Sequence, residues 1–224
     1  DSGFQSAWTT TITTVQEKCD NMKRRPATEV FSEWAEDGRD TGMEIGHAPA
    51  VQEMLIFALS EVAQLGKEFT AIDAGCGNGW VVRQLKAVPL CRRVIGVDGA
   101  KMMIDKAEKN DPYGEYILAN IMEWKPDKKV DLVHSMEVFY YLPDPEKLIR
   151  HIATNWLCDG GRLIFGIDHY KENEDSLNWP EKCGIDMSTH TEHEWKMMLE
   201  IVGFSNTHSW RAAASKDWAG TLVL

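Results

Sequence analysis

The sequence contains no C-x-x-C pair, and its five cysteines are an odd number, which does not suit a disulfide framework. The pattern predicts reduced thiols in a reducing compartment. No apolar run approaches the roughly 20 residues that span a bilayer, which argues against a membrane-embedded chain. A basic excess is missing too: 24 Lys and Arg against 35 Asp and Glu leave a formal net charge of -11. That balance speaks against a protein that grips nucleic acid by neutralising phosphates, although a local basic patch can sit inside an acidic total. Internal repeats, low-complexity tracts and a leader-like N-terminal stretch are likewise absent. The chain starts at Asp1, so a targeting segment upstream is left open and a cytoplasmic location is expected from the thiols alone. What remains is 224 residues with 43% apolar content, the profile of one α/β domain with additions.

The chain is organised around residues 69–80. Phe69, Thr70, Ala71, Ile72, Asp73 and Ala74 read as a buried strand, and Gly75, Cys76, Gly77, Asn78 and Gly79 as a glycine-rich turn opening a helix at Trp80. Three glycines within five residues allow positive φ and a close backbone approach to a ligand, with helix N-terminal amides facing it. About twenty residues on, Arg93 to Val97 form a second apolar strand ending in Asp98. A carboxylate at that place is where α/β nucleotide sites hydrogen-bond a ribose diol. The spacing of Gly75, Gly77 and Gly79 is G-x-G-x-G, not the dinucleotide pattern G-x-G-x-x-G, and Asp73 stands two positions before the first glycine.

An acidic residue followed by G-x-G-x-G resembles the first motif of class I S-adenosylmethionine (SAM) dependent methyltransferases. The resemblance covers residues 68 to 170 and, more loosely, the C-terminal end. It implies a Rossmann-like, doubly wound α/β fold with a seven-stranded sheet and SAM as cofactor. It also implies cofactor contacts from Asp73, Gly75, Cys76, Gly77, Gly79, Asp98, Gly99, Asn120, Ile121, Ser135 and Met136. Asn120 stands at the end of the third strand where many members have Asp, and its amide oxygen can accept the same adenine hydrogen bond.

Residues 1–66 are expected to form an N-terminal arm and helical lid, and residues 67–224 the SAM-binding domain. The stretch around Ile12, Val15 and Cys19 reads as an arm or weakly docked helix. Thr28 can cap a helix carrying Val30, Phe31 and Trp34. Residues 37–46 read as a charged loop bracketed by Gly38 and Gly42, and Pro49 as the first turn of a helix to about Gln64. Trp34, Gly38, Arg39, Met43 and His47 together resemble the N-terminal lid of thiopurine and halide methyltransferases. Arg39 in that loop is a candidate for binding a carboxylate of SAM or of the acceptor. Residues 171–187 read as an insertion over the substrate mouth, and residues 204–210 and 218–224 as a terminal antiparallel hairpin.

The segment after the fourth strand, Met136 to Pro145, resembles that of ubiquinone-pathway O-methyltransferases, in which two Glu and a His supply metal ligands. Glu137 keeps the first ligand, while Tyr140 and Tyr141 stand in place of the others. One carboxylate and two phenols do not make an oxygen-rich divalent site, so no metal is expected. The candidates at the strand ends are Glu137, Tyr140 and Tyr141 after the fourth strand and Asp168, His169 and Tyr170 after the fifth; of these Glu137, Tyr140, Tyr141 and His169 are the candidate catalytic residues. His169 is the first choice as base because imidazole titrates near neutrality. His134, inside the fourth strand, reads as structural. Trp80, Tyr140, Tyr141, Trp210 and Trp218 are candidates to line a pocket for a flat or cationic acceptor. The resulting expectation is metal-independent, in-line methyl transfer to an O, N or S atom of a small molecule, without nucleic acid or membrane as partner. A protein or RNA methyltransferase and a non-catalytic SAM-binding domain are the alternatives.

Overall fold

Near-continuous apolar runs such as Ala71, Ile72 and Ala74 or Ile95 and Val97 can be buried on both faces only in a parallel sheet covered by helices. The computed structural model describes residues 24–224, so the expected arm around Ile12, Val15 and Cys19 lies outside the described residues. The sheet has seven strands in the order β3-β2-β1-β4-β5-β7-β6. Strands β1 (Phe69–Ala74), β2 (Cys91–Asp98), β3 (Glu115–Leu118), β4 (Val130–Met136) and β5 (Leu157–Ile167) pair in parallel. Strand β7 (Thr221–Val223) is antiparallel to both β5 and β6 (Trp210–Ala212). The terminal hairpin therefore exists, but its first strand begins at Trp210 and not at Phe204.

The strand order reverses between β1 and β4, and the crevice above their carboxyl ends is where open α/β sheets place ligands. Helices cover both faces. Leu148, Ile149 and Ile152 of α5 (Pro145–Asn155) and Trp195 and Leu199 of α7 (Glu192–Val202) are buried on one side. Val51, Met54 and Ala58 of α2 (Asp40–Leu65) and Val81, Val82 and Leu85 of α3 (Trp80–Lys86) are buried on the other. Helix α4 (Lys101–Asn110) packs against α1 (Ala27–Glu36), which is capped at Pro26 while Thr28 sits in its first turn.

Residues 37–46 depart most from expectation. The charged loop is short, and α2 begins at Asp40 and runs 26 residues straight through Pro49. Proline inside a helix removes the hydrogen bond to the carbonyl four residues back, here that of Ile45, whose side chain is 71% exposed. That carbonyl stands on a solvated surface, and the helix is tied down at both ends of the interruption. Asp40 is held in a buried ion pair with Lys106, and Ala50, Val51 and Met54 are in the core. Tertiary anchoring overrides two glycines and a proline here. Residues 171–187 hold a 3₁₀ turn, Glu174–Ser176, and the short helix α6 (Trp179–Cys183).

Candidate active site

The glycine turn, the two N-terminal helices and the loops after β2, β3 and β4 enclose a cavity of about 730 Å³. That is the upper part of the range, roughly 300–1,000 Å³, of small-molecule sites. Along one end the turn is fixed by backbone bonds: Gly75 and Cys76 N–H both donate to the Val97 carbonyl, at 2.7 and 3.1 Å. Gly75 has a φ of 72°, and a Cβ there would lie 2.2 Å from Val138 Cγ2. Only glycine satisfies both constraints. Asp98 accepts from Gly77 N–H at 2.9 Å and from Ala100 N–H at 2.7 Å, one bond to each carboxylate oxygen. Burial, aided by the nearby Asp73 charge, raises the Asp98 pKa against these amides. The result is a pre-set carboxylate on the cavity wall with a lone pair left on each oxygen for a diol. Asp73, also on the wall, is oriented by His134, whose Nδ1 is 2.7 Å from its Oδ1.

Helices α1 and α2 both touch this end. A Cβ on Gly99 would lie 2.8 Å from Thr28 Cγ2 of α1, so the chains meet at van der Waals distance there. Asp40 of α2 accepts from Lys106 Nζ at 2.6 Å and from Asn78 Nδ2 of the glycine turn at 2.8 Å. Burial alone would raise the Asp40 pKa, but these partners hold it below its ordinary value.

The other end of the cavity is made of side chains. Glu137, Tyr141 and Leu142 from the loop after β4, Phe31 of α1, and Met43 and His47 of α2 line it. Glu137 itself has a φ of 61°, a left-handed conformation that a non-glycine residue adopts at a cost. Its Oε1 accepts the Asp168 N–H at 2.5 Å and its Oε2 accepts the Tyr140 hydroxyl at 2.6 Å. Asp168, at the end of β5, is 4% exposed, and its Oδ2 lies 3.5 Å from His47 Nε2. Burial, with the Asp168 charge beside it, pushes the Glu137 carboxyl up to about 8. Burial would lower the His47 pKa, but Asp168 and Glu137 outweigh it and raise it. Glu137 and His47, so placed beside Asp168, suit proton transfer near neutral pH.

This arrangement corrects several expectations. His169 does not reach the cavity: it is fully buried, with Nδ1 at 3.0 Å from the Ser176 carbonyl and Nε2 at 2.8 Å from Thr189 Oγ1. The imidazole at the mouth is His47, brought from α2. Ser135 donates to the Ala74 carbonyl at 2.7 Å, joining β4 to β1, and does not line the wall. Gly79 caps α3 and packs on Tyr116, behind the wall. Arg39 stacks on Trp34, 4.2 Å from the ring centroid, and does not face the cavity. Tyr140 is buried behind Glu137, and Trp210 packs on Phe57 with centroids 4.8 Å apart; of the five proposed aromatics, Trp80 and Tyr141 line the wall. Residues 171–187 contribute nothing to the cavity lining. Asp73, Gly75, Cys76, Gly77, Asp98, Gly99, Asn120, Ile121, Met136 and Glu137 all lie on it. Asn120 Oδ1 also accepts from Met122 N–H at 3.0 Å, so part of its capacity closes its own turn. Glu137 is not alone among phenols as the sequence suggested. His47, Glu137 and Asp168 have ligand-type atoms within 4.8 Å of one another.

A cavity above the reversal point of a parallel sheet, walled by a glycine turn and an amide-held carboxylate, has the form of a nucleoside site of the α/β class. The model of the methyltransferase domain family matches residues 33–209, and the chain belongs to that family, with the class I methyltransferase fold. Trans-aconitate 2-methyltransferase of Klebsiella pneumoniae (strain 342) is 29% identical over 119 residues, 53% of this chain and 47% of that protein. Malonyl-[acyl-carrier protein] O-methyltransferase of Halalkalibacterium halodurans is 32% identical over 148 residues, 58% of this chain and 53% of that protein. The chain thus spans about half the length of these two curated relatives. Among solved structures, a chain of the Haloferax volcanii complex that contains the Trm112 methyltransferase activator superposes with a TM-score of 0.74 at 27% identity, covering 89% of this chain and 96% of that one. The N-methyltransferase NodS of Bradyrhizobium japonicum, in complex with S-adenosylhomocysteine, shares the fold, with a TM-score of 0.59 at 18% identity over 77% of this chain and 82% of that one. Among the described residues no helix is long and apolar enough to cross a membrane.

Proposed function

We propose that the chain transfers the methyl group of SAM to a small-molecule acceptor, with the turn and Asp98 holding the nucleoside and Glu137 and His47, backed by Asp168, serving the acceptor. The observation that carries this reading is that both ends belong to one cavity. Bound SAM supplies an activated methyl on sulfur, and the protein's part is alignment, exclusion of water and handling of a proton. Asp98 takes the ribose hydroxyls, Asp73 faces the charged methionine end, and Asn120 and Ile121 border the base. Helix α2 closes the cavity and presents His47. Glu137 accepts the acceptor's proton, and the Asp168 N–H and Tyr140 hydroxyl fix the carboxylate plane while it does so. Holding two reactants in line is worth on the order of 7–11 kcal/mol.

No step in this route uses a metal: Glu137, with one donor on each oxygen and a lone pair free on each, acts as the base. The imidazole and two carboxylates do compose a donor set for a divalent cation. Activity lost to EDTA and restored by one divalent metal would replace the metal-free route. The direct test of the function is calorimetry with SAM and S-adenosylhomocysteine. Micromolar binding that vanishes in Asp98→Ala supports the nucleoside end, and binding of NAD in place of SAM would refute it.

A second reading concerns a protein partner, since one structural neighbour comes from a complex with an activator. Strand β3 is an edge of the sheet, flanked by Tyr113 at 91% exposure and by exposed Leu118, and such an edge can pair with another chain. Co-purification of an equimolar partner whose contact protects β3 amides from hydrogen exchange would support it.

A further inference from the structure

We propose that the acceptor is an amine that enters as its ammonium ion and sits between the Glu137 carboxyl, backed by Asp168, and the rings of Phe31 and Tyr141. This rests on the methyl-transfer reading above and names its substrate class.

The first support is the sign of the charge. At the acceptor end Glu137 and His47 line the wall with Asp168 close behind them, and among the described residues no Lys or Arg lines the wall there. Lys101, the lysine that does line the cavity, stands beside Gly99 at the nucleoside end and pairs with Asp105 at 2.5 Å. Arg39, the guanidinium nearest the mouth in sequence, is turned onto Trp34. An anionic acceptor would find neither Lys nor Arg to pair with there, and His47 is already held by Asp168. An ammonium would find oxygen acceptors on Glu137 and, behind it, on Asp168.

The second support is independent of the count of charges. Asp168 Oδ1 is buried and has no hydrogen-bond partner among the described residues, whereas Oδ2 of the same group faces His47. A buried, unpartnered carboxylate oxygen costs free energy unless a donor reaches it, and an ammonium carries three donors. Third, Phe31 and Tyr141 meet edge to face with centroids 5.1 Å apart, and both line the cavity. Aromatic walls beside carboxylates are the chemistry that selects organic cations.

The step balances. The ammonium gives one proton to the Glu137 carboxylate, which becomes a carboxylic acid, and the nitrogen lone pair is freed. That pair forms the N–C bond to the methyl carbon while the C–S bond breaks and its electrons stay on sulfur. The products are a methylated ammonium and neutral S-adenosylhomocysteine, and Glu137 returns its proton to solvent through His47. The raised Glu137 pKa, about 8, brings this carboxylate close to the acidity of an ammonium. The groups facing it are Asp168 of β5, His47 of α2, and Tyr140 and Tyr141 of its own loop, with Cys183 of α6 acting on Tyr141.

The test uses the full chain and acceptor sets that share one carbon skeleton: an amine, an alcohol and a carboxylic acid on phenylethyl, indolylethyl and butyl frames, each with isotope-labelled SAM. Thermal shift of the SAM-free protein with phenethylamine and with 3-phenylpropionate is read alongside. The expected result is labelled methyl on amines, none on acids, and a larger thermal shift with the amine. In Glu137→Gln the rate should fall about 100-fold while SAM affinity, which also reports folding, stays within about twofold. Asp168→Asn should weaken amine binding in the thermal assay and leave SAM binding in place. Methylated acids, or SAM binding without methylation of any amine in the set, would overturn the amine assignment and leave methyl transfer standing. Failure to bind SAM would instead bring down the methyl-transfer reading itself.

Discussion

The two ends of the cavity are built on different principles. The nucleoside end is backbone: amides of Gly77 and Ala100 on Asp98, and a turn closed on the Val97 carbonyl, all within about 25 residues of chain. The acceptor end is side chain, with His47, Glu137 and Asp168 drawn from α2, the loop after β4 and the end of β5. A site made of backbone tolerates little change in conformation, whereas a site made of side chains tolerates changes in shape but not in charge.

That contrast can be broken most forcefully at Gly75. A methyl there is 2.2 Å from Val138 Cγ2 at a φ of 72°, so Gly75→Ala combines a left-handed penalty of about 1–2 kcal/mol with a clash. SAM binding should be lost in calorimetry, and adding Val138→Ala should recover part of it; unchanged affinity in the single variant would show that the turn is softer than its geometry. Next in size, Asp98→Ala should weaken SAM by about 100-fold, since hydrogen bonds to a charged group are worth roughly 1.5–3 kcal/mol each. The acceptor end should respond to charge: Glu137→Gln keeps the shape and removes the titration. Between its ordinary value of 4.5 and about 8 the folded Glu137 binds a proton that the unfolded chain does not. Its contribution to stability is therefore full below about pH 4.5 and is lost as pH rises through about 8. The melting temperature of Glu137→Gln should gain on the wild type between pH 5 and pH 9, and a pH-independent difference would contradict the raised pKa. In kinetics, kcat/KM of the wild type should rise with pH through the same region and lose that limb in the variant. The smallest effect on catalysis is expected at His169→Ala, which should cost about 1–3 kcal/mol of stability from its two buried hydrogen bonds and leave turnover per folded molecule unchanged.

The same contrast explains what was legible in the sequence. Gly75, Gly77 and Asp98 act through local backbone, and local spacing is visible in a string of residues. The family resemblance carried the sheet and the cofactor on the same ground. The acceptor end was half visible: Glu137, Tyr141 and Asp168 stood among the strand-end candidates, but His169 and not Asp168 was preferred after the fifth strand. His47 was missed as a partner because nothing local joins residue 47 to residues 137 and 168. It reaches them only because α2 starts at Asp40, and Gly42, Gly46 and Pro49 argued against that helix. The signal that could have found it was the ion-pairing capacity of Asp40, whose lysine lies 66 residues away. His169 failed for the converse reason. Its position at a strand end was right, but its ring turns inward, where Ser176 and Thr189 satisfy both nitrogens.

Helix α2 ties the glycine turn through Asp40 and Asn78 and carries His47 seven residues further along the same rigid rod. The two ends are therefore geared to each other: any opening that moves the first turns of α2 off the glycine turn also draws the imidazole from the carboxylates at the far end. Turnover should be paced by this opening, with a rate that falls as solvent viscosity rises and increases when Lys106→Met loosens the hold on Asp40.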